Sequence, residues 1–128
     1  MLRGVTETFS IKDVAAQTGV TAHTLRYYER IGLLRGVPRA ASGHRRYRAE
    51  DVRWVEFLRK LHATGMPIRR MQEYASLLRK GDSTIVARQR LLDEHRKDVE
   101  SRIEVLTTNL EMIRKKIRFY AQRTAKAS

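Results

Sequence analysis

The sequence predicts a mainly helical protein, in which a winged helix-turn-helix domain is followed by a long coiled-coil dimerisation helix. Three observations lead to this fold class. Glycines separate short helical segments, a basic stretch without helical periodicity interrupts them, and apolar residues recur in heptads near the C-terminus. With 128 residues, the chain has room for one domain and an appendage.

Each of the first four predicted helices is followed by a glycine, at positions 19, 32, 65 and 81. Glycine is favoured there because it adopts the left-handed conformation of a helix C-terminal cap without a Cβ clash. The four helices are predicted at residues 11–18, 22–31, 50–63 and 68–80.

The first two helices are expected to form a helix-turn-helix. Ser10 is a suitable N-cap for the first helix, and Asp13, three residues later, is its capping-box partner. Thr21 is the N-cap of the second helix. Residues 19–21 are a short connection of the kind that joins the two helices of this motif.

A wing and two further helices complete the predicted domain. Residues 34–47 contain proline and glycine and lack a helical period, which predicts two short strands with a loose tip. The third helix supplies bulk for a small core through Trp54 and Phe57. Asp82 or Ser83 is expected to cap the last and longest helix.

The last helix carries a predicted coiled-coil seam. From Val99 to Tyr120 its apolar residues alternate in steps of four and three, which is the spacing of a and d positions, and polar residues interrupt the N-terminal end of the seam. Burying each large apolar side chain contributes about 1.5–3 kcal/mol, so a monomer that left them in water would be heavily penalised. No second helix follows to cover them, which favours a second copy of the chain. The predicted dimerisation residues are Leu92, Val99, Ile103, Leu106, Leu110, Ile113, Ile117 and Tyr120.

The chain is strongly basic, with 27 Lys and Arg against 14 Asp and Glu and a net charge of +13. The stretch from Arg30 to Arg48 contains six arginines and no acidic residue, which favours a polyanionic partner. The four histidines are scattered and form no catalytic pattern, and the absence of cysteine excludes thiolate metal sites and thiol redox sensing. We expect no enzyme activity, no cofactor, no metal and no membrane span, and a cytoplasmic location.

A tyrosine pair on the second helix is the most informative motif. Tyr27 and Tyr28 point about 100° apart on a helix, so one packs inward while the other stays at the surface beside Arg26 and Arg30. For Tyr28, a place in the core and contact with DNA both remain open. A short helix with exposed Arg and Tyr, followed by a cationic hairpin, is suited to binding phosphates.

The stretch L-R-Y-Y-E-R-I-G-L-L, followed by G-H-R-R-Y, resembles the MerR family of bacterial transcription regulators. The resemblance covers roughly residues 9–120. It implies a homodimer with an antiparallel coiled coil, double-stranded promoter DNA as the ligand and RNA polymerase as a partner. The expected organisation is a tail, a DNA-binding domain, a dimerisation helix and a second tail, at residues 1–9, 10–81, 82–122 and 123–128.

The N-terminal residues of the second helix are the candidates for reading base edges. Such residues enter the major groove in a helix-turn-helix, where threonine and alanine methyl groups contact the thymine methyl and an imidazole donates or accepts a hydrogen bond. The alternative for the histidine is simple solvent exposure. The predicted base contacts are Thr21, Ala22, His23 and Thr24.

Phosphate contacts are expected from the side chains around this helix. The resemblance assigns Arg26 and Tyr27 to the DNA backbone, and Arg30 is suited to the same role. Ser10 and Lys12, at the start of the first helix, are further candidates through the helix N-terminus and charge. A merely solvated Lys12 is the alternative.

The wing supplies the remaining basic candidates. Arg45 and Arg46 flank its turn and point to opposite faces, so one is expected to meet a phosphate while the other supports the fold or reaches the minor groove. The resemblance places the wing over the DNA backbone, and His44 stands where the family usually has an aromatic residue. Arg69 and Arg70 are expected either to add flanking backbone contacts or to be ordinary surface arginines.

The expected function is that of a sequence-specific transcription regulator. By resemblance, the dimer binds a pseudo-palindromic promoter site and bends and untwists an overlong spacer, so that both recognition elements face polymerase. An architectural DNA-bending protein and a coiled-coil adaptor for an acidic protein are the alternatives. The sequence identifies no effector.

Overall fold

The structure is a computed structural model that describes residues 7–127. It is mainly helical, as predicted, with one small two-stranded sheet. The elements in chain order are β1 (Thr8–Phe9), α1 (Ile11–Thr18), α2 (Ala22–Arg30), β2 (Tyr47–Arg48), α3 (Ala49–Ala63), α4 (Ile68–Lys80), a 3-10 turn (Asp82–Thr84) and α5 (Ile85–Ala127). The chain forms two compact units, which divide between Arg88 and Gln89.

The predicted caps of the helix-turn-helix are present. The Ser10 hydroxyl accepts a hydrogen bond from the Asp13 backbone N–H at 3.1 Å, and the Asp13 carboxylate accepts one from the Ser10 N–H at 3.2 Å. Thr21 caps α2 by accepting from the Thr24 N–H. Gly19 has φ 76°, the left-handed conformation that ends α1 and directs the chain into α2.

The apolar core lies in the first unit and takes side chains from each of α1 to α4. The inward face of α2 contributes Leu25 and Tyr28, which leaves Arg26, Tyr27 and Arg30 on its outward face. The core therefore fixes which side of α2 meets solvent. The largest fully buried side chains are Val14, Leu25, Leu33, Leu34, Tyr47, Val55, Leu58 and Met71.

The wing differs from the predicted pair of strands. It carries an isolated antiparallel bridge between Arg39 and Arg45, while the regular strand β2 follows the wing. β2 pairs with β1, with Phe9 opposite Tyr47 and Thr8 opposite Arg48. We predicted residues 8 and 9 to be part of a tail. The strand was not recognised in the sequence because two residues are too few to show an alternating pattern.

The start of the last helix also differs from the prediction. Asp82 and Ser83 lie within the 3-10 turn, and α5 begins at Ile85. The Thr84 hydroxyl donates to the backbone carbonyls of Leu77 at 2.6 Å and of Gly81 at 2.8 Å. These bonds of the buried Thr84 hold the 3-10 turn on the end of α4.

The helix α5 contains 43 residues and is about 64 Å long. Its buried residue is Leu91, and the predicted dimerisation residues Leu92 and Val99 are half-buried. The rest of the predicted seam is exposed in the single chain, at Ile103, Leu106, Leu110, Ile113, Ile117 and Tyr120. Among the described residues, no helix combines the length and the apolar character that crossing a bilayer needs.

Candidate nucleic-acid interface

The C-terminal end of α2 is held by side chains from α3 and α4. Backbone carbonyls at the C-terminal end of a helix lack partners within the helix. Here the carbonyls of residues 31–33, directly after α2, accept hydrogen bonds from side chains of the later helices. The orientation of α2 is therefore set by the tertiary structure as well as by its own buried face. The donors are Gln72, Arg79 and Trp54, at 3.0, 3.0 and 2.7 Å.

The N-terminal turn of α2 presents the predicted base-reading residues. Thr21 and His23 are exposed, and Ala22 and Thr24 are half-buried. The Thr21 hydroxyl accepts from the Thr24 N–H and donates to the Thr24 hydroxyl at 3.0 Å. Because capping occupies this hydroxyl, the Thr21 methyl group and the His23 imidazole are the groups that this turn offers to a ligand.

The tyrosine pair divides between core and surface. Tyr28 is 3% exposed, whereas Tyr27 is 36% exposed, with 6.3 Å between the ring centroids. Burial raises the pKa of Tyr28 above its ordinary value. The Arg30 guanidinium lies 5.5 Å from the centre of the Tyr27 ring, within the range of a cation–π contact. Of the two alternatives for Tyr28, the structure favours the core, and Tyr27 and Arg30 share the outer surface.

A basic groove lies between α2, the N-terminus of α1 and the wing. The α1 N-terminus adds its partial positive charge and backbone N–H groups to the guanidinium groups of the groove. The wall contains four arginines and a histidine, and Asp13 bonds the Ser10 N–H beside it. The lining residues are Ser10, Ile11, Arg26, Arg39, Ala40, Ser42, Gly43, His44, Arg45 and Arg46.

Arg45 and Arg46 both bind protein groups. The Arg45 Nε donates to the Glu29 carboxylate at 2.6 Å. The Arg46 guanidinium donates to the Thr8 hydroxyl at 3.0 and 3.2 Å and to the Thr8 carbonyl at 3.4 Å. We expected one of the two to meet a phosphate and the other to support the fold or reach the minor groove; in the structure, both guanidinium groups bond protein groups. Their partners lie 16 and 38 positions away, a distance at which sequence spacing carries no signal.

Arg39 is a groove residue that sequence reasoning missed. Its Nη1 donates to the Gly43 carbonyl at 3.0 Å, which holds the side chain across the wing. It remains exposed and faces the same groove as Arg26. The signal available was its place in the run of arginines without acidic residues. His44, at the exposed tip, has its Nδ1 2.9 Å from the Ser42 hydroxyl oxygen.

The remaining predicted contacts lie outside the groove lining. Lys12 projects from α1 and Arg69 from α4, and both are exposed. Arg70 forms a 2.7 Å ion pair with Glu73 on α4. Within residues 7–127, no group of three or more His, Asp or Glu is arranged to hold a metal ion.

Comparison with known proteins identifies the family. Residues 9–78 match the family described as MerR HTH family regulatory protein, and residues 52–118 match the one described as MerR, DNA binding. The chain belongs to the MerR family. The resemblance predicted from the tyrosine motif is confirmed, and so is the predicted fold class of a mainly helical chain ending in a long helix.

The relatives are transcription regulators. The HTH-type transcriptional regulator AdhR of Bacillus subtilis is 45% identical over 87 residues, which are 68% of this chain and 62% of that protein. An HTH-type transcriptional regulator of Haemophilus influenzae is 33% identical over 121 residues, 94% of this chain and 90% of the relative. The similarity thus spans nearly the full length of the Haemophilus influenzae regulator, whereas this chain matches less than two thirds of the length of AdhR.

Solved structures of MerR regulators have the same fold. One from Listeria monocytogenes gives a TM-score of 0.82 at 39% identity, covering 88% of this chain and 85% of that one. HiNmlR, a MerR family regulator lacking the sensor domain and bound to promoter DNA, gives 0.83 at 33% identity, covering 95% and 97%. This MerR chain is therefore a helix-turn-helix transcription regulator.

Proposed function

We propose that this MerR-family regulator acts as a homodimer on a pseudo-palindromic site in double-stranded promoter DNA. The observation that carries the proposal is the basic groove beside the exposed face of α2, which combines four arginines with the N-terminus of α1. In this arrangement the first turn of α2 reads base edges while the groove and Arg30 neutralise phosphates. HiNmlR, which shares the fold, has a structure with promoter DNA.

The roles within the interface follow from exposure and existing partners. Arg26 and Tyr27 are exposed on α2 and contact the DNA backbone, and His23 contacts a base edge. Arg39 joins the phosphate contacts, because it is exposed and lines the groove. One of its guanidinium N–H groups bonds the Gly43 carbonyl, and others remain to donate to a phosphate. Lys12 and Arg69 add contacts at the edges of the site.

The second half of the proposal concerns the dimer and the response. The exposed apolar seam of α5 pairs with the same seam of a second copy, in the antiparallel sense that the family resemblance implies. Two copies of α2 then meet two half-sites, and the dimer bends and untwists the spacer for RNA polymerase. DNA deformation of this kind costs of order 1–6 kcal/mol, which many backbone contacts offset.

Salt dependence of duplex binding tests the interface. If the dimer neutralises about ten phosphates, the logarithm of the affinity falls with the logarithm of salt concentration with a slope near −9. Replacing Arg26 by glutamine is expected to weaken binding to all sequences. The replacement should also make the slope of log affinity against log salt concentration shallower by about one for each phosphate that is no longer neutralised. Because each copy in the dimer loses one contact, the expected change is about two. Fluorescence anisotropy with a labelled duplex measures both.

Arg118→Gln is the matched control. Arg118 is an arginine on α5 that bonds Glu111 and lies outside both the heptad seam and the basic groove, so its replacement removes the same charge away from the proposed interface. It is expected to leave the slope unchanged. A wild-type slope near −2, or an Arg26→Gln variant that binds like the wild type, would contradict the proposed interface.

Selection of bound duplexes from a random pool separates a regulator from an architectural protein. A regulator of the proposed kind enriches one pseudo-palindromic sequence, because two identical reading helices meet two related half-sites. Uniform recovery of unrelated duplexes would instead favour DNA bending without sequence preference.

A further inference from the structure

Glu29 is an acidic side chain on the proposed DNA-binding surface. It lies on α2 directly before the run of six arginines without an acidic residue, and its side chain is 23% exposed. A carboxylate near a polyanion weakens binding by simple repulsion. Its position therefore requires a role that outweighs this repulsion.

The structure shows what the Glu29 carboxylate holds. Its Oε1 accepts a hydrogen bond from the Arg45 Nε at 2.6 Å and lies 3.9 Å from the Arg39 Nη2. Arg39 and Arg45 face each other across the wing in an antiparallel bridge, and Arg39 also bonds the carbonyl of Gly43 near the tip. One carboxylate of α2 thus contacts both sides of the wing.

Within the described residues, the other side-chain hydrogen bonds that anchor residues 36–46 to the rest of the chain go to Thr8 and Arg48 and not to α2. Residues 38–44 are exposed, so their apolar burial contributes little. The hydrogen bonds of Ala40 with His44, of Gly43 with Ala40 and of Arg46 with Pro38 lie within the wing and shape it without joining it to α2. The side chains of Glu29 and Arg45 are about one-fifth exposed, so solvent screens this pair less than a surface pair.

We propose that Glu29 is a positioning residue for DNA binding, which fixes the wing against the reading helix through Arg45. The proposal rests on the proposed DNA-binding function and deepens it. Arg45 then acts through Glu29 rather than as a phosphate ligand, because its Nε and part of its charge are taken by the carboxylate. Arg39 and Arg26 are left to face the DNA backbone in the geometry that this contact sets.

The Glu29→Gln variant separates positioning from charge by the sign of its effect. Removing a negative charge beside a polyanion is expected to tighten binding if charge alone matters. Positioning predicts the opposite, namely binding weakened about tenfold, with an unchanged salt slope because the same phosphates are neutralised. Anisotropy titration at several salt concentrations gives both quantities, and circular dichroism checks the fold.

Glu100→Gln is the control for Glu29→Gln. Glu100 forms an ion pair of similar length, 2.7 Å, with Arg96 on α5, in a local and exposed setting. Its replacement removes the same charge and is expected to leave the affinity within twofold of the wild type. An equal decrease of affinity in Glu100→Gln would overturn the proposal, since the weakening would then not be specific to the contact between Glu29 and Arg45.

Arg45→Gln supplies the second test and stays informative if Glu29→Gln fails to fold. The proposal predicts the same tenfold weakening without a change in slope, and a Glu29→Gln/Arg45→Gln double variant no weaker than either single variant. Glu29→Asp, which keeps the charge and shortens the side chain, is expected to recover part of the affinity.

Three further outcomes would overturn the positioning role. They are wild-type or tighter binding by Glu29→Gln, additive weakening in the double variant, and a slope that becomes shallower in Arg45→Gln, which would make Arg45 a phosphate ligand. Any of these leaves the proposed function intact as long as the wild type binds duplex DNA and Arg26→Gln weakens it. Failure of the wild type to bind removes the proposed function itself.

Discussion

The two compact units of this chain differ in where their apolar side chains are covered. In the first unit, up to Arg88, Leu25, Tyr47 and Leu58 are at most 1% exposed, so these apolar side chains are covered within the single chain. In the second unit, Leu106 is 67% exposed on a single helix. One unit satisfies the hydrophobic effect within the chain, whereas the other has a repeat that needs a second surface.

The polar contacts differ in the same way. In the first unit, Arg45 and Arg46 reach partners 16 and 38 positions away. In the second, Arg96 pairs with Asp93 and Glu100, three and four positions away on the same helix. Long-range contacts define a unique tertiary structure, while short-range pairs stabilise a helix by only about 0.2–0.5 kcal/mol each and leave its outer surface open to a partner.

The largest effect is expected from breaking the seam of α5. Leu106→Glu places a charge at a predicted d position in both copies of the proposed dimer, and burying it is expected to cost about 4 kcal/mol, which is roughly a thousandfold in the dissociation constant. Sedimentation at micromolar concentrations should then show monomers.

Val105→Glu is the control for this variant. Val105 is 59% exposed, close to Leu106, but it lies outside the heptad seam. It is expected to leave the association intact. If both variants dissociate to the same extent, or if neither does, the seam is not the dimer contact.

The next largest effect is expected from a substitution in the core of the first unit, and it distinguishes this core from the proposed dimer seam. Leu25→Ala removes a fully buried side chain of α2 and is expected to lower the free energy of unfolding by about 3 kcal/mol. The decrease should be the same at every protein concentration, because the core lies within one chain. Leu106→Ala should instead change how strongly the unfolding midpoint depends on concentration. Urea denaturation at two concentrations tests this, and equal behaviour of the two variants would remove the distinction.

The smallest effect is expected at Tyr47. Its side chain is fully buried, and its hydroxyl has no hydrogen-bond partner among the described residues. Tyr47→Phe removes that unpaired group, so we expect the free energy of unfolding at pH 7 to stay the same or to rise by up to about 1 kcal/mol. A decrease of more than this would mean that the hydroxyl has a stabilising partner.

The pH dependence of the Tyr47 variant follows from its pKa. Burial, with a smaller contribution from Glu29, raises the pKa of Tyr47 above its ordinary value. The folded state therefore holds the proton more tightly, and this contribution to stability is present below about pH 10 and lost as the pH rises through the folded pKa. Tyr47→Phe should make stability fall less steeply above pH 10, and Tyr28, which has a raised pKa as well, retains part of the decrease.

Helix positions and the N-terminal caps of α1 and α2 were predictable because their signals are local. α1 and α4 have the predicted bounds, and α2 and α3 differ from prediction by one residue at one end. Ser10 and Asp13 form their predicted capping box, since the partners are three residues apart and capping follows directly from residue type. The heptad spacing predicted one uninterrupted long helix for the same reason.

The candidate site was predictable in composition but not in arrangement. The acid-free arginine run predicted where the basic surface lies, and the structure brings Arg26, Arg39, Arg45 and Arg46 into one groove. No sequence pattern indicated that Glu29 would contact Arg39 and Arg45 of the wing. Arg39 was missed because its place in the groove depends on how the wing folds, which brings its guanidinium to the Gly43 carbonyl and near the Glu29 carboxylate of α2.

By itself, the sequence determined the series of helices, the basic character of one surface and an apolar repeat that calls for a partner. These follow from residue type and spacing over a few positions, where backbone conformation and solvation dominate. Only the tertiary structure decided that Tyr28 is buried while Tyr27 is exposed, that Thr8 pairs beside the wing, and that Arg45 meets Glu29. Each of these depends on elements far apart in the chain being packed together, a condition that no local pattern encodes.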